Sequence, residues 1–400
     1  MTKAGDQALD VNISVAKIRG RDLGLELGAD PSRTRCQRMI RNILIANLIS
    51  LFWMKPTGFL YYSRDNNYYA RTRRYHCRCF SANNVIWAVQ SLDDAGLINH
   101  HQTRPSPEAW FRSTVRLQHD ISNQLKINKI NAFDFRILEP IVLKDRVKQP
   151  MSYRTTRHIL ALREDVCAHN ELLEQTDIIL RHESWITDQY GFLRRKRQVI
   201  NPARKYLYRV YNNGSFKQGG RFYGPFWHQL SKRIRAHLLI NGDSVIERDF
   251  QACHPRLMYS LMGKTMPEFD PYDIEGFDRA TAKTGFQKLV NSSNRKSAVL
   301  AIAEPYSRKG MRGAHQVASQ MIDAFEAKHP DIRSLFYSGM GLRLQNLDSQ
   351  ICSEVQGELR ELGIPVLSIH DSFIVSTTAR VELDARMNDS FDRTCRRLKT

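Results

Sequence analysis

The sequence predicts an α+β protein of two or three domains, and three observations carry that prediction. Its 400 residues exceed what one small core fills. Long stretches of helical period alternate with short apolar runs of strand length. Two of those runs in the second half, 245–249 and 364–375, end or break at a carboxylate. A hydrophobic fraction of 42% is enough for folded domains, while 60 Lys and Arg against 41 Asp and Glu give a net charge of +19. So large an excess selects a polyanionic partner, with nucleic acid first, over a charge that only keeps the chain dissolved.

Taken in order, residues 1–30 are polar and aperiodic and read as a flexible arm. The apolar stretch 39–54 is interrupted by Arg41, Asn42 and Asn47 and is short for a membrane span, so it reads as a buried core helix. No basic-then-apolar leader opens the sequence, and a cytoplasmic protein without a membrane partner is expected. Residues 59–62 and 68–69 read as strands around a polar turn at 64–67. Ser81 is an N-cap, Val85, Ala88, Val89 and Leu92 form an apolar helix face, and Gly96 stops it. An extended segment from Leu97, a polar loop with Pro105 and Pro107, and an alternating strand at 113–117 follow.

Helix, strand, loop, strand in that order, with SANNVIWAVQSLDDAGLINH at 81–100, resembles the recognition helix and wing entry of winged-helix DNA-binding domains, including those of replication initiators. The resemblance implies a helix in the major groove, with Arg71, Arg73, Arg74 and Arg78 just before it on phosphates. Packing against a protein is the other use of such a domain. Residues 131–144 are strand-like, and 153–180 is helical in pattern, either a thumb-like helix or a plain linker. The expected division is an arm at 1–30, a winged-helix domain at 31–125, a connecting and thumb-like region at 126–205, and a nucleotidyltransferase domain at 206–400.

Seven cysteines, at 36, 77, 79, 167, 253, 352 and 395, are odd in number and dispersed, so reduced thiols are expected. His76, Cys77, Cys79, His100 and His101 lie near one another, but Cys-x-Cys lacks the usual ligand gap and no second pair follows; zinc is not expected.

Four segments carry the chemistry. Gly219-Gly-Arg-Phe-Tyr-Gly224 with Trp227, Gln229 and Arg235 offers glycines for close backbone approach to a sugar-phosphate chain, and aromatic groups for bases. Asp249 ends an apolar run and precedes a helix start. Arg279 and Lys283, four apart, share one helix face and can grip a triphosphate; a merely solvated basic face is the duller reading. His370-Asp371-Ser372 splits two apolar runs as the charged tip of a buried hairpin. Aspartates from two strands can clamp two Mg²⁺ ions about 3.5 to 4 Å apart, activating a hydroxyl and steadying pyrophosphate.

In this order the segments resemble the palm of family A DNA polymerases and of the related single-subunit phage-type RNA polymerases, over roughly residues 213–375. The resemblance implies a palm with small helical fingers. It makes Asp249 and Asp371 catalytic and metal-binding, with Mg²⁺ or substituting Mn²⁺. Arg279 and Lys283 match the basic pair of the fingers helix. His370 steadies the primer end, while Arg221, Gln229 and Arg235 hold template or nascent DNA.

The departures concern what is polymerised. His254 stands where the DNA enzymes carry a glutamate that excludes the ribose 2′-hydroxyl, unless it only caps or packs its helix. Ser372 follows Asp371 as in the phage-type RNA polymerases, and Gln287 and Asn291 occupy the positions of an aromatic pair. The expected function is therefore a DNA-templated polymerase using nucleoside triphosphates, a primase-polymerase of a mobile-element replication system that accepts ribonucleotides. An ordinary primer-dependent DNA polymerase, a terminal transferase and a non-catalytic DNA-binding regulator with a degenerate palm are the alternatives.

Overall fold

Thr34 opens the first long helix, α1 (Arg35–Met54), by accepting the Gln37 amide at 3.1 Å. The computed structural model describes residues 21–32, 34–71, 73–103, 113–135 and 137–399, with the backbone alone at 7–8 and 14–15 and for Arg71. Most of the predicted arm and the loop with Pro105 and Pro107 lie outside the described residues. The fold is mixed α+β, in two compact units. One comprises Met1–Val142, Gln149–Tyr208 and Gly224–Gly242; the other comprises Leu143–Lys148, Arg209–Tyr223 and Asp243–Thr400.

In the first unit α1 is buried along most of its length, as its apolar run predicts. Arg41 within it is buried too, tolerated because its guanidinium meets the Asp22 carboxylate at 2.5 Å and the Asp30 carbonyl at 2.6 Å. Among the described residues no helix is long and apolar enough to cross a membrane. Three antiparallel strands, β1 (Leu60–Tyr62), β2 (Ile98–His101) and β3 (Ser113–Leu117), pair with Leu60 opposite Val115 and Ile98 opposite Leu117. Between β1 and β2 lie α2 (Asn66–Arg71) and α3 (Ala82–Asp94), the latter capped by Ser81 and ended at Gly96, whose φ of 69° suits glycine.

Three local expectations are corrected here. Residues 68–69 are helical rather than extended, because Asp65 accepts the Asn67 amide at 2.8 Å and starts a turn. Cys36 and Cys79 are not free thiols: packing of α1 against α3 brings their Cα atoms to 4.9 Å, and they form a disulfide. The predicted helix over 153–180 is α4 (Arg157–Gln175) and stops at Thr176. Its last three residues form β4 (Ile178–Leu180), whose alternating burial suits β-branched side chains on a pleated surface.

A small antiparallel sheet follows, β5 (Ile186–Thr187), β6 (Leu193–Arg195) and β7 (Gln198–Ile200). Beyond it, β8 (Tyr208–Asn212) and β9 (Ser215–Tyr223) form a hairpin, and β10 (Leu238–Ile240) pairs antiparallel with β4.

The second unit is organised around a three-stranded antiparallel sheet. Its strands are β11 (Asp243–Asp249), β12 (Leu367–Ile369) and β13 (Ser372–Ser376), with β13 in the centre. Phe373, Ile374 and Val375 are fully buried, as the apolar run predicts. Helices α5 (Cys253–Leu261), α6 (Arg279–Asn291), α7 (Arg295–Arg308), α8 (Ala314–Lys328), α9 (Gly341–Glu361) and α10 (Arg380–Lys399) complete the unit. Asp278 starts α6 by accepting two amides, Ala280 and Thr281. Asn294 and Ser297 form a capping box that restarts the chain as α7.

His329 ties α5, α6 and α8 together. It lies buried among Phe269, Phe286, Phe325 and Phe336, donating Nε2–H to the Pro271 carbonyl at 3.0 Å and accepting the Tyr259 hydroxyl on Nδ1 at 3.2 Å. Burial lowers its pKa below the usual 6.5. The unfolded chain therefore binds a proton there at a higher pH than the native one, so stability contributed at this position is full above about pH 6.5 and falls as the medium is acidified. Urea midpoints measured from pH 8 to pH 5 should fall on acidification, and His329→Gln should flatten that dependence. Parallel curves for the two proteins would refute the assignment.

Candidate functional site

An antiparallel pairing decides which side chains share the end of the sheet. Asp249, the last residue of β11, pairs with Ser372, the first of β13, and the Phe250 amide donates to the Asp371 carbonyl at 3.4 Å. The two aspartates, separated by 122 positions in sequence, thus lie on neighbouring chain segments at one strand end. Asp249 is exposed and Asp371 half-buried. The backbone is bent sharply around both: Ala252, three residues beyond Asp249, has a φ of 51°, and His370, just before Asp371, has 58°. Left-handed conformations at residues other than glycine cost on the order of 1 kcal/mol and concentrate where side chains must be aimed.

Asp371 opens onto a cavity of about 270 Å³ that is also lined by Arg221, His254, Tyr272, Lys283, Gln287, Asn291 and His370. Phe250, Cys253, Phe286 and Val290 supply its apolar wall. Of the residues expected to act on substrate or metal, Asp249 and Arg279 are not on this wall, and the Arg279 guanidinium pairs with Asp270 beside the start of α6. That guanidinium nevertheless sits 5.4 Å from the Tyr272 ring centroid, with the Lys283 ammonium 5.9 Å from the same ring. Burial, first, and the nearby Arg221 charge, second, lower the His370 pKa below its usual value. Tyr223 packs edge-on against it at 5.5 Å.

Arg221 and His254, both on the cavity wall, meet a residue that sequence reasoning missed. Asp348, in the middle of α9 and 2% exposed, receives the Arg221 guanidinium and lies 2.9 Å from His254 Nε2. Arg221 is therefore held by an internal carboxylate, and His254 belongs to the same cluster rather than serving as a simple helix cap. Nothing in the local pattern marks Asp348: one acid inside an amphipathic helix reads as surface.

Gly219 and Gly220 also differ from expectation. Ser349 Oγ and Asn346 Nδ2 of α9 donate to the Gly219 carbonyl, and a Cβ at Gly220 would meet Ser349 Oγ at 2.8 Å. Gly220 admits the packed helix, while a Cβ at Gly219 would meet Asn212 and the Val210 carbonyl of β8. Arg209 reinforces the joint, fully buried between the Tyr211 and Phe222 rings and donating to the Gly220 carbonyl at 2.8 Å. Two aromatic groups of this segment are likewise core, Phe222 and Trp227 at 1% and 0% exposed, whereas Tyr223 is exposed.

The remaining predicted contacts lie in the first unit. Gln229 is exposed, and Arg235 donates to the Leu230 carbonyl at 2.7 Å. Arg73 and Arg78 are exposed, whereas Arg74 reaches the Glu139 carboxylate, itself paired with Arg163 at 2.8 Å, and lies over the Tyr153 ring. Arg74 is thus a structural residue. Cys79 is in the disulfide and His100 bonds Tyr62 and Asp93. Among the described residues no group of three or more His, Cys, Asp or Glu is arranged for a metal. An exposed and a half-buried carboxylate fit Mg²⁺, which takes one or two carboxylates and completes its shell with phosphate oxygens and water. They do not fit zinc, which takes nitrogen and sulfur donors in a closed set.

No protein-family model matches the chain, and no curated protein is detectably similar to it.

Proposed function

We propose that the chain is a DNA-templated nucleotidyltransferase that adds nucleotides from nucleoside triphosphates to a 3′-hydroxyl. The observation that carries this reading is the pairing of Asp249 with Ser372, the neighbour of Asp371, at the end of a sheet where Asp371 and Lys283 line one cavity. In this reading the sheet β11–β13–β12 is a polymerase palm of the family A type, α6 belongs to small fingers, and α1 to β3 form a winged-helix DNA-binding domain.

Asp249 and Asp371 would hold Mg²⁺, which supplies charge stabilisation at the attacking and leaving oxygens. Lys283 neutralises triphosphate oxygens, with Arg279 joining once it leaves Asp270. His370 holds the primer end by hydrogen bonding, and Gln287 and Asn291 contact the incoming nucleotide. Arg221 is kept in position by Asp348. His254, drawn onto the same carboxylate, leaves the ribose side without an anionic gate. That arrangement supports acceptance of ribonucleotides and, with the DNA-binding domain, a primase-polymerase of a mobile-element replication system.

The test is incubation of the protein with Mg²⁺, single-stranded DNA and either ribo- or deoxynucleotides, with and without annealed primer. Template-dependent products from ribonucleotides without primer are expected. Products only from deoxynucleotides on a primer would replace the primase reading with an ordinary DNA polymerase, and absence of any product would remove the enzymatic reading.

A further inference from the structure

The densest run of unneutralised positive charge lies far along the sequence from the catalytic aspartates, on the turn between β6 and β7. Arg195, Lys196 and Arg197 are consecutive, Lys196 and Arg197 are exposed, and among the described residues none of the three has an acidic partner. Some exposed arginines elsewhere are paired, as Arg397 is with Glu354 and Arg333 with Glu326, but none of the three cations here is. The hairpin is also rigid. Phe192, Leu193 and Ile200 are buried at its base, and Arg194 bonds both the Asp188 carboxylate and the Trp53 carbonyl at 2.5 Å. Tyr190 stacks on Trp53 at 4.6 Å.

Lys196 adopts a φ of 50°, a conformation glycine or asparagine takes more readily. The turn thus presents its lysine from an anchored ribbon. Gln198 Nε2 reaches the Gln229 carbonyl at 3.2 Å, which joins the hairpin to the exposed segment carrying Arg233.

We propose that the β6–β7 hairpin is a DNA-backbone contact, in which Arg195, Lys196 and Arg197 bind phosphates of duplex DNA. A two-stranded ribbon is narrow enough to enter a major groove, and three unpaired cations at its tip meet phosphates without needing a particular sequence. Such binding releases counterions, so it weakens steeply with salt. The contact depends on charge alone and requires no catalysis.

The experiment measures the affinity of the full chain for a 20-base-pair duplex of arbitrary sequence across a salt series, with no nucleotide present. The variant R195A/K196A/R197A is compared with wild type and with K296A/K309A/R312A, which removes three exposed cations from the other unit. Thermal melting checks that both variants fold. The hairpin variant is expected to lose roughly 10- to 100-fold in affinity at low salt, with the slope of log K against log salt shallower by about 2 to 3, while the control changes far less. Equal losses in the two variants, or an unchanged slope in the hairpin variant, would overturn the proposal. Nucleotide incorporation is scored separately, so an inactive wild type that still binds through the hairpin would count against the polymerase reading alone.

Discussion

Asp371→Asn is expected to leave DNA binding intact while lowering nucleotide incorporation roughly a thousandfold, the rate equivalent of several kcal/mol of lost metal-mediated charge stabilisation. The substitution keeps the shape of the hairpin tip and removes only the charge. A half-buried carboxylate at the rim of a cationic cavity has two possible uses: balancing the cations around it, or holding a divalent ion with Asp249. The first use has little effect on rate at saturating substrate, whereas the second acts on the transition state. The loss should therefore appear in kcat, with the apparent affinity for duplex DNA unchanged. Unchanged incorporation would show that Asp371 holds no catalytic ion.

Asp348→Asn is expected to destabilise the protein by about 3 kcal/mol, because it leaves Arg221 and His254 facing each other without the buried carboxylate that both contact. The carboxylate is 1% exposed on its side chain, so water does not replace the missing charge. The urea midpoint should drop without a change in the denaturant slope. Because the cluster also lines the cavity, KM for nucleotide should rise and discrimination between ribo- and deoxynucleotides should shift. A midpoint equal to wild type would show that the cluster is incidental.

Legibility of this molecule followed the range over which each interaction acts. The strand-end placement of Asp249 and Asp371 was readable because each interrupts or ends a short apolar run. The helix after Ser81 was readable because its cap, apolar face and terminal glycine are all local signals. Asp348 was not, since its partners Arg221 and His254 lie 127 and 94 residues away and only the fold brings them to it.

The same holds for the Cys36–Cys79 disulfide, made across 43 residues by helix packing. Gly219 and Gly220 were recognised as sites of close approach, but the approaching groups are β8 and α9, and sequence alone does not distinguish a strand or helix from a phosphate chain. Residues 178–180 fit a helical face and a strand equally well over so short a run, and pairing with β10 decided the matter.

Shared occupancy of one divalent ion by Asp249 and Asp371 is tested most directly by a double-mutant cycle on Mn²⁺ binding, read by electron paramagnetic resonance in the presence of a nucleoside triphosphate. If the two carboxylates hold the same ion, Asp249→Asn and Asp371→Asn should each abolish most of the tight binding, and the double variant should lose little more than either single one. Strictly additive losses, or binding that survives both changes, would contradict a joint metal site.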